Sequence, residues 1–224
     1  GEASVVPWSL IEMTNTSVSL SVELVSVPLR IDRSIEVVAD TVRITDTLTN
    51  LSPVTQAIDF SHHPALGGVF LDGPCTIETG ASTFVNDFDS GIDDVAADSR
   101  HAWPLVTMSN GEVRDLSQVA EEDVEESAFG TLTDFDGHWA SVTNARLGIQ
   151  VRLEWDGTQL PYAWLWQELG GTAGWPWYRR ARVVAIEPSS TVTSGPGRRA
   201  TLMVGQTPVS IVMSLSVRRK EAYV

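Results

Sequence analysis

Cysteine is nearly absent from this chain, and so is lysine. The single cysteine, Cys75, excludes an intrachain disulfide and a paired-thiol metal or redox site. It makes a reducing cytoplasm the expected compartment. The single lysine is Lys220, so arginine supplies the other 14 positive charges. Long apolar runs are missing too: none approaches the ~20 residues that span a bilayer as a helix. No charged-then-apolar leader pattern opens the residues present. Cationic side chains are outnumbered, 15 Lys+Arg against 29 Asp+Glu, for a formal net charge of −14. That balance speaks against a general nucleic-acid binder or a binder of anionic membranes. It says little about a small neutral ligand. With 42% hydrophobic and 20% charged residues, the composition is that of a globular protein. A length of 224 residues suits one large all-β domain, or at most two small ones.

Convincing helix is scarce; only 116–127, LSQVAEEDVEES, is expected to make a short acidic turn or two. The dominant period is two. Val18, Leu20, Val22 and Leu24 alternate with polar residues, as do Val42 and Ile44, with Leu48 later in that run. Ile149, Val151, Leu153 and Trp155 form another such face, and Val209, Ile211, Met213, Leu215 and Val217 the cleanest. Strict alternation puts one set of side chains on a buried sheet face. β-Branched residues fill these runs, and Gly, Pro, Asn and Asp cluster between them. The expectation is an all-β antiparallel sandwich. The stretch TSGPGRR at 193–199 reads as a loop between strands.

Aromatic residues are unevenly spread. Trp155, Trp164, Trp166, Trp175 and Trp177, with Tyr162 and Tyr178, crowd into 155–178. They form either a core that needs bulk or a sugar-binding cleft, where aromatic faces pack on pyranose C–H faces. Loop-like flanks at Pro161, Gly170, Gly171, Gly174 and Pro176 favour the cleft. On a strand, Trp164 and Trp166 share a face.

Two groups stand out for acid–base chemistry. The pair His62–His63 lies in SHHPALGG, after the strand-like QAIDF. Histidine titrates near neutrality. Neighbours on a strand point to opposite faces, so these two are not expected to act together, and a metal reading of the pair weakens. On residue chemistry alone, a histidine that merely hydrogen-bonds in a turn is the better explanation. Glu187, in RVVAIEPSS, closes an apolar strand. A buried carboxylate there is costly unless paired, a placement that suits general bases; a solvent-facing strand end is the plainer alternative. The acidic loop NDFDSGIDDVAADS (86–99) fails the calcium-loop template, with Ile92 in place of the glycine and Asp98 in place of the final glutamate. DFDG at 134–137 reads as a turn. No metal is expected. There is no P-loop, GxGxxG, HExxH or GxSxG.

Several segments together resemble the aldose 1-epimerase (galactose mutarotase-like) superfamily. SHHPALGGVFLDG is similar to its histidine-proline motif. YAWLWQELGGTAGWPWYRRARVVAIEPSS is similar to its C-terminal half, where an aromatic stretch leads through a strand to Glu-Pro. GEASVVPWSL and TLTNLSP fit the intervening pattern. The likeness runs over nearly the whole chain, and order and separation carry it rather than any one motif. It implies a single galactose mutarotase-like antiparallel β-supersandwich over 1–224, and interconversion of the α- and β-anomers of a free aldose by ring opening. His63, which precedes Pro64, matches the family's acid and Glu187 its base; His62 is the alternative if the register slips by one. Trp164, Trp166, Gln167 and Glu168 fall where the family shapes its sugar pocket. The partner implied is a small-molecule sugar, and the chemistry needs no cofactor. Two departures follow. The family's N-terminal strands, with a sugar-contacting arginine and histidine, have no counterpart here, so that part is expected to be missing or supplied by a second chain. Leu66 stands where phenylalanine is common. A non-catalytic sugar binder on the same fold is the alternative, as is an epimerase of anionic sugars using Arg179, Arg180 and Arg182.

Overall fold

The alternating runs become antiparallel strands, and every ladder between them is antiparallel. The structure is a computed structural model that describes residues 1–87, 94–119, 125–195 and 197–220. In chain order the strands are β1 (Ser9–Met13), β2 (Ser17–Glu23), β3 (Leu29–Val38), β4 (Thr41–Asn50), β5 (Gln56–Ile58), β6 (Ala65–Gly67), β7 (Cys75–Asn86), β8 (Ser99–Ala102), β9 (Leu105–Thr107), β10 (Val113–Asp115), β11 (Gln118–Val119), β12 (Glu126–Asn144), β13 (Ile149–Trp155), β14 (Tyr162–Leu169), β15 (Arg182–Ser189), β16 (Leu202–Val204) and β17 (Val209–Arg219). Helix among the described residues is limited to two short 3-10 turns, Glu2–Ser4 and Gly68–Leu71. No helix there is long and apolar enough to cross a membrane.

The main sheet runs β1-β2-β3-β4-β17-β13-β12-β14-β15-β6, with β7 also along β12. β12 is the organising strand. Its first half pairs with β14 and its second with β13, while β7 follows much of its length. Between the halves the register shifts, and Asp134 takes a positive φ of 56°. DFDG is therefore not a loop between elements but the irregular middle of one long strand. There β7 comes so close that a Cβ on Gly80 would lie 2.1 Å from the Gly137 carbonyl oxygen, so only glycine fits.

The cleanest alternation predicts burial over most of its length: Ile211 and Met213 of β17 are buried, with Val209 and Leu215 packed against the core, while Val217 near the strand end is exposed. Leu48, Phe84, Leu132, Leu160, Leu165 and Ile211 are fully buried, each worth about 1.5–3 kcal/mol of hydrophobic stabilisation. The helical expectation over 116–127 fails at both described ends, where Gln118–Val119 and Glu126 onward are strand; 120–124 lie outside the described residues. The centre of the acidic loop, 88–93, lies outside them as well.

Candidate functional site

Strands β14 and β15 pair with Trp164 opposite Glu187, Trp166 opposite Ala185 and Glu168 opposite Val183. Directly opposed residues share a face, so these side chains line one side of the sheet. Leu165, Leu169, Val184 and Ile186 face the other way, into the main core. Trp164 and Trp166 are buried too but stand apart from that cluster. The aromatic stretch is therefore divided: Trp155, on β13, belongs to the core, and Trp164 and Trp166, on β14, stand apart from it.

The histidines arrive on a segment zipped along the end of β15. Phe60 and Ser190 exchange hydrogen bonds, the Phe60 N–H to Ser190 Oγ and the Ser190 N–H to the Phe60 carbonyl, both 2.9 Å. Ser61 bridges Ser189. The His62 N–H then donates to the Pro188 carbonyl at 3.0 Å. Proline gives no N–H of its own but still accepts, so the Glu-Pro dipeptide fixes the histidine segment beside Glu187. The extended backbone sends His62 and His63 to opposite sides.

His63 comes to the aromatic face. Its Nδ1 lies 3.1 Å from Glu187 Oε1, with the imidazole half-exposed and the carboxylate nearly buried. Its ring centroid is 6.0 Å from that of Trp166. The hydrogen bond to Glu187 raises the pKa of His63, against a burial effect that lowers it. The two groups thus touch, whereas paired catalysis on a sugar requires them on either side of one hemiacetal.

His62 goes the other way, into a buried polar cluster that the sequence reading missed. Its Nε2 is 3.3 Å from Asp46 Oδ2, near but not aligned for a hydrogen bond. Asp46 is fully buried and takes two bonds from Arg33, Nε to Oδ1 at 2.7 Å and an Nη to Oδ2 at 2.9 Å. Arg33 in turn sits 5.0 Å above the Trp8 ring. A signal existed. Asp46 holds the apolar parity of Val42, Ile44 and Leu48, and Arg33 that of Leu29, Ile31 and Ile35. The two charges are directly opposed across β3 and β4.

The remaining expected site residues fall into two groups. Trp164 spends its indole N–H on the carbonyls of Thr191 and Val192, and the Arg198 guanidinium, ion-paired with Asp59, lies 5.7 Å over its ring. Gln167 and Glu168 are fully buried. Gln167 Nε2 donates to the Leu116 carbonyl at 2.8 Å. The Glu168 carboxylate accepts from the Thr172 N–H at 3.1 Å and its hydroxyl at 2.5 Å, tying down the loop that leaves β14. Neither presents a group to the open side. Trp177, from that loop, instead reaches the site: its ring lies 4.9 Å from Trp166 at 53°. A cavity of about 420 Å³ lies elsewhere, between Thr158–Gln159, Tyr162 and Thr201–Met203. It holds none of the titratable groups described above.

An imidazole whose pKa is raised by the carboxylate it touches, on a face of tryptophans, forms with that carboxylate a pair able to give one proton and take another. The fold is that of galactose mutarotase-like proteins. A protein of Escherichia coli K12 provisionally described as an aldose 1-epimerase superposes with a TM-score of 0.73, at 16% identity, over 98% of this chain and 71% of its own. A galactose mutarotase-like protein from Clostridium acetobutylicum gives 0.66 at 16% identity, over 95% and 66%. The GalM/aldose epimerase homologue from C. elegans gives 0.68 at 14% identity, over 96% and 69%. These likenesses establish the expected antiparallel β-supersandwich. In sequence, residues 10–205 match the family described as Domain of unknown function (DUF4432), and the chain belongs to that family. No curated protein matches it.

Proposed function

We propose that the protein is an isomerase of the aldose 1-epimerase type, acting on the anomeric centre of a neutral hexose or close relative. The observation that carries this reading is the contact of half-exposed His63 with strand-held Glu187 on a tryptophan-lined face. Protonated His63 gives its proton to the ring oxygen while Glu187 removes the proton of the anomeric hydroxyl. The C1–ring oxygen bond breaks and the carbonyl forms. Rotation about C1–C2 turns the other carbonyl face to the chain hydroxyl, and the reverse transfers close the ring as the second anomer. Atoms and charge balance without a cofactor.

The closed pair fits this chemistry if the sugar enters between its members. Ring and anomeric oxygens share one carbon, so His63 and Glu187 must part until each reaches its own oxygen at hydrogen-bond distance. His63, on the exposed side, is the member free to move. Arg179 supports the anionic-sugar alternative poorly, because it already pairs with Glu125. The lone, buried Cys75 supports a cytoplasmic setting as part of the same proposal.

The test is anomer exchange at equilibrium, read by NMR on a panel of aldoses, for the wild type, Glu187→Gln and His63→Asn. Fast exchange that each substitution slows by roughly 10²-fold or more, with the fold intact, is the expected result. Sugar binding without exchange in the wild type would leave a carbohydrate-binding protein and overturn the enzymatic reading.

A further inference from the structure

Buried indole N–H groups in this protein find acceptors as a rule. Trp155 donates to the Leu160 carbonyl at 3.0 Å and Trp164 to those of Thr191 and Val192, while part-buried Trp8 donates to the Ala3 carbonyl. Trp166 breaks the rule. The residue is only 9% exposed, and its Nε1 is buried with no hydrogen-bond partner among the described residues. A buried donor left unmade is costly, and such exceptions call for an explanation. This one stands between His63 and Trp177, at ring-centroid distances of 6.0 and 4.9 Å.

Trp177 reaches that place on a loop pinned at both ends and loosely held in the middle. At the start, Thr172 is bound to the buried Glu168 carboxylate. At the end, the Arg179 N–H donates to the Thr172 carbonyl at 2.9 Å, and its guanidinium pairs with Glu125. Between these anchors the chain makes one tight turn on the Gly174 carbonyl. Trp175 and Tyr178 stand 80% and 56% exposed. Tyr178 and Arg179 both take positive φ, 48° and 56°. That conformation is disfavoured for side chains other than glycine, and it collects at ligand clamps.

We propose that Trp177 is the movable cover of the site, and that the Trp166 indole N–H beneath it is the donor for one hydroxyl oxygen of the bound sugar. An indole N–H is an uncharged, donor-only group. It can bond a hydroxyl oxygen without adding charge to the site, and the two tryptophan faces suit a sugar's C–H surface. The cover swings outward about the Thr172 and Arg179 anchors, and a sugar hydroxyl takes the vacated place. This deepens the proposed function and rests on it, because the ligand is the reducing sugar that meets His63 and Glu187.

The experiment uses the full chain labelled with ¹⁵N at tryptophan and histidine, titrated with D-galactose and D-glucose. The Trp166 and Trp177 indole signals are assigned with Trp166→Phe and Trp177→Phe. Saturating sugar is expected to shift the Trp166 N–H signal together with those of His63 and Trp177. Trp177→Ala is expected to speed hydrogen exchange at the Trp166 N–H at least tenfold without sugar. Trp166→Phe, which keeps the ring and loses the donor, is expected to raise KM about tenfold with little change in kcat. The wild-type titration stands even if a variant fails to fold. Sugar that shifts the His63 signal and leaves Trp166 unmoved overturns the donor role alone and leaves the isomerase reading intact. Sugars that shift neither signal, with no anomer exchange, overturn both.

Discussion

His62 and His63 are neighbours whose protons respond to opposite surroundings. The Glu187 carboxylate raises the pKa of His63. Burial wins at His62, outweighing the attraction of Asp46, and lowers its pKa from 6.5 to about 4, with Arg33 adding to the fall. Below pH 6.5 the unfolded chain binds a proton at this residue that the folded chain refuses until pH 4. Stability from this group is therefore complete above pH 6.5 and lost as pH falls through that window, by about 3 kcal/mol in all. Urea titrations at pH 7 and pH 4.5 measure it. His62→Gln is expected to flatten most of the difference, and an unchanged pH slope in that variant would assign the loss to other groups. His63 runs the other way: its pairing with Glu187 supports the fold below pH 6.5 and fades as pH rises through its raised pKa.

Across β3 and β4, the opposed Arg33 and Asp46 place an ion pair where the sequence pattern calls for two apolar side chains. Losing Arg33 strands the fully buried Asp46 carboxylate in the interior. Arg33→Leu alone is expected to cost about 3–5 kcal/mol, and the Arg33→Leu, Asp46→Leu double variant distinctly less. A double variant that loses the sum of the two single variants in a denaturation series would mean that the pair is not coupled. The same two residues show what the sequence makes legible and what it does not. Periodicity finds β13 and β17 because each has one buried and one more open face. It fails on β12, buried almost throughout both halves, where alternation has nothing to distinguish. That His63, Glu187, Trp164 and Trp166 come to one face follows from strand parity and the order of the motifs, which are local features. The place of Trp177 does not, since its approach depends on how a loop with two positive φ values folds back. The inward turn of Gln167 and the tie of Glu168 to Thr172 are likewise tertiary facts.

At the scale of the whole molecule, an exposed edge coexists with a large net charge. β1 is exposed along its full length, with Leu10, Ile11 and Met13 at 58%, 66% and 70%. Such an edge is a template for pairing with another chain, and the net charge of −14 opposes that by repulsion. Added salt screens the repulsion. Light scattering is expected to show association growing from low to ~0.5 M salt, where the Debye length has shrunk several-fold. Ile11→Lys is expected to suppress it, and association indifferent to that change would move the contact to another surface.

The central place of β17 bears on how the protein is made. β17, the last strand among the described residues, lies between β4 and β13, and Val209 pairs with Leu48, far earlier in the sequence. On the ribosome, β4 and β13 emerge long before the strand that joins them. Both then carry unsatisfied ladders facing that gap until residues 209–219 clear the exit tunnel. The sheet closes late, in a single long-range step, and contacts of this separation form slowly. Newly made chains thus pass through an interval in which two open borders invite wrong partners, and holding chaperones have the most to protect. A ribosome stalled just short of β17 should hold a nascent chain that proteases cut readily, and one stalled after β17 has emerged should not.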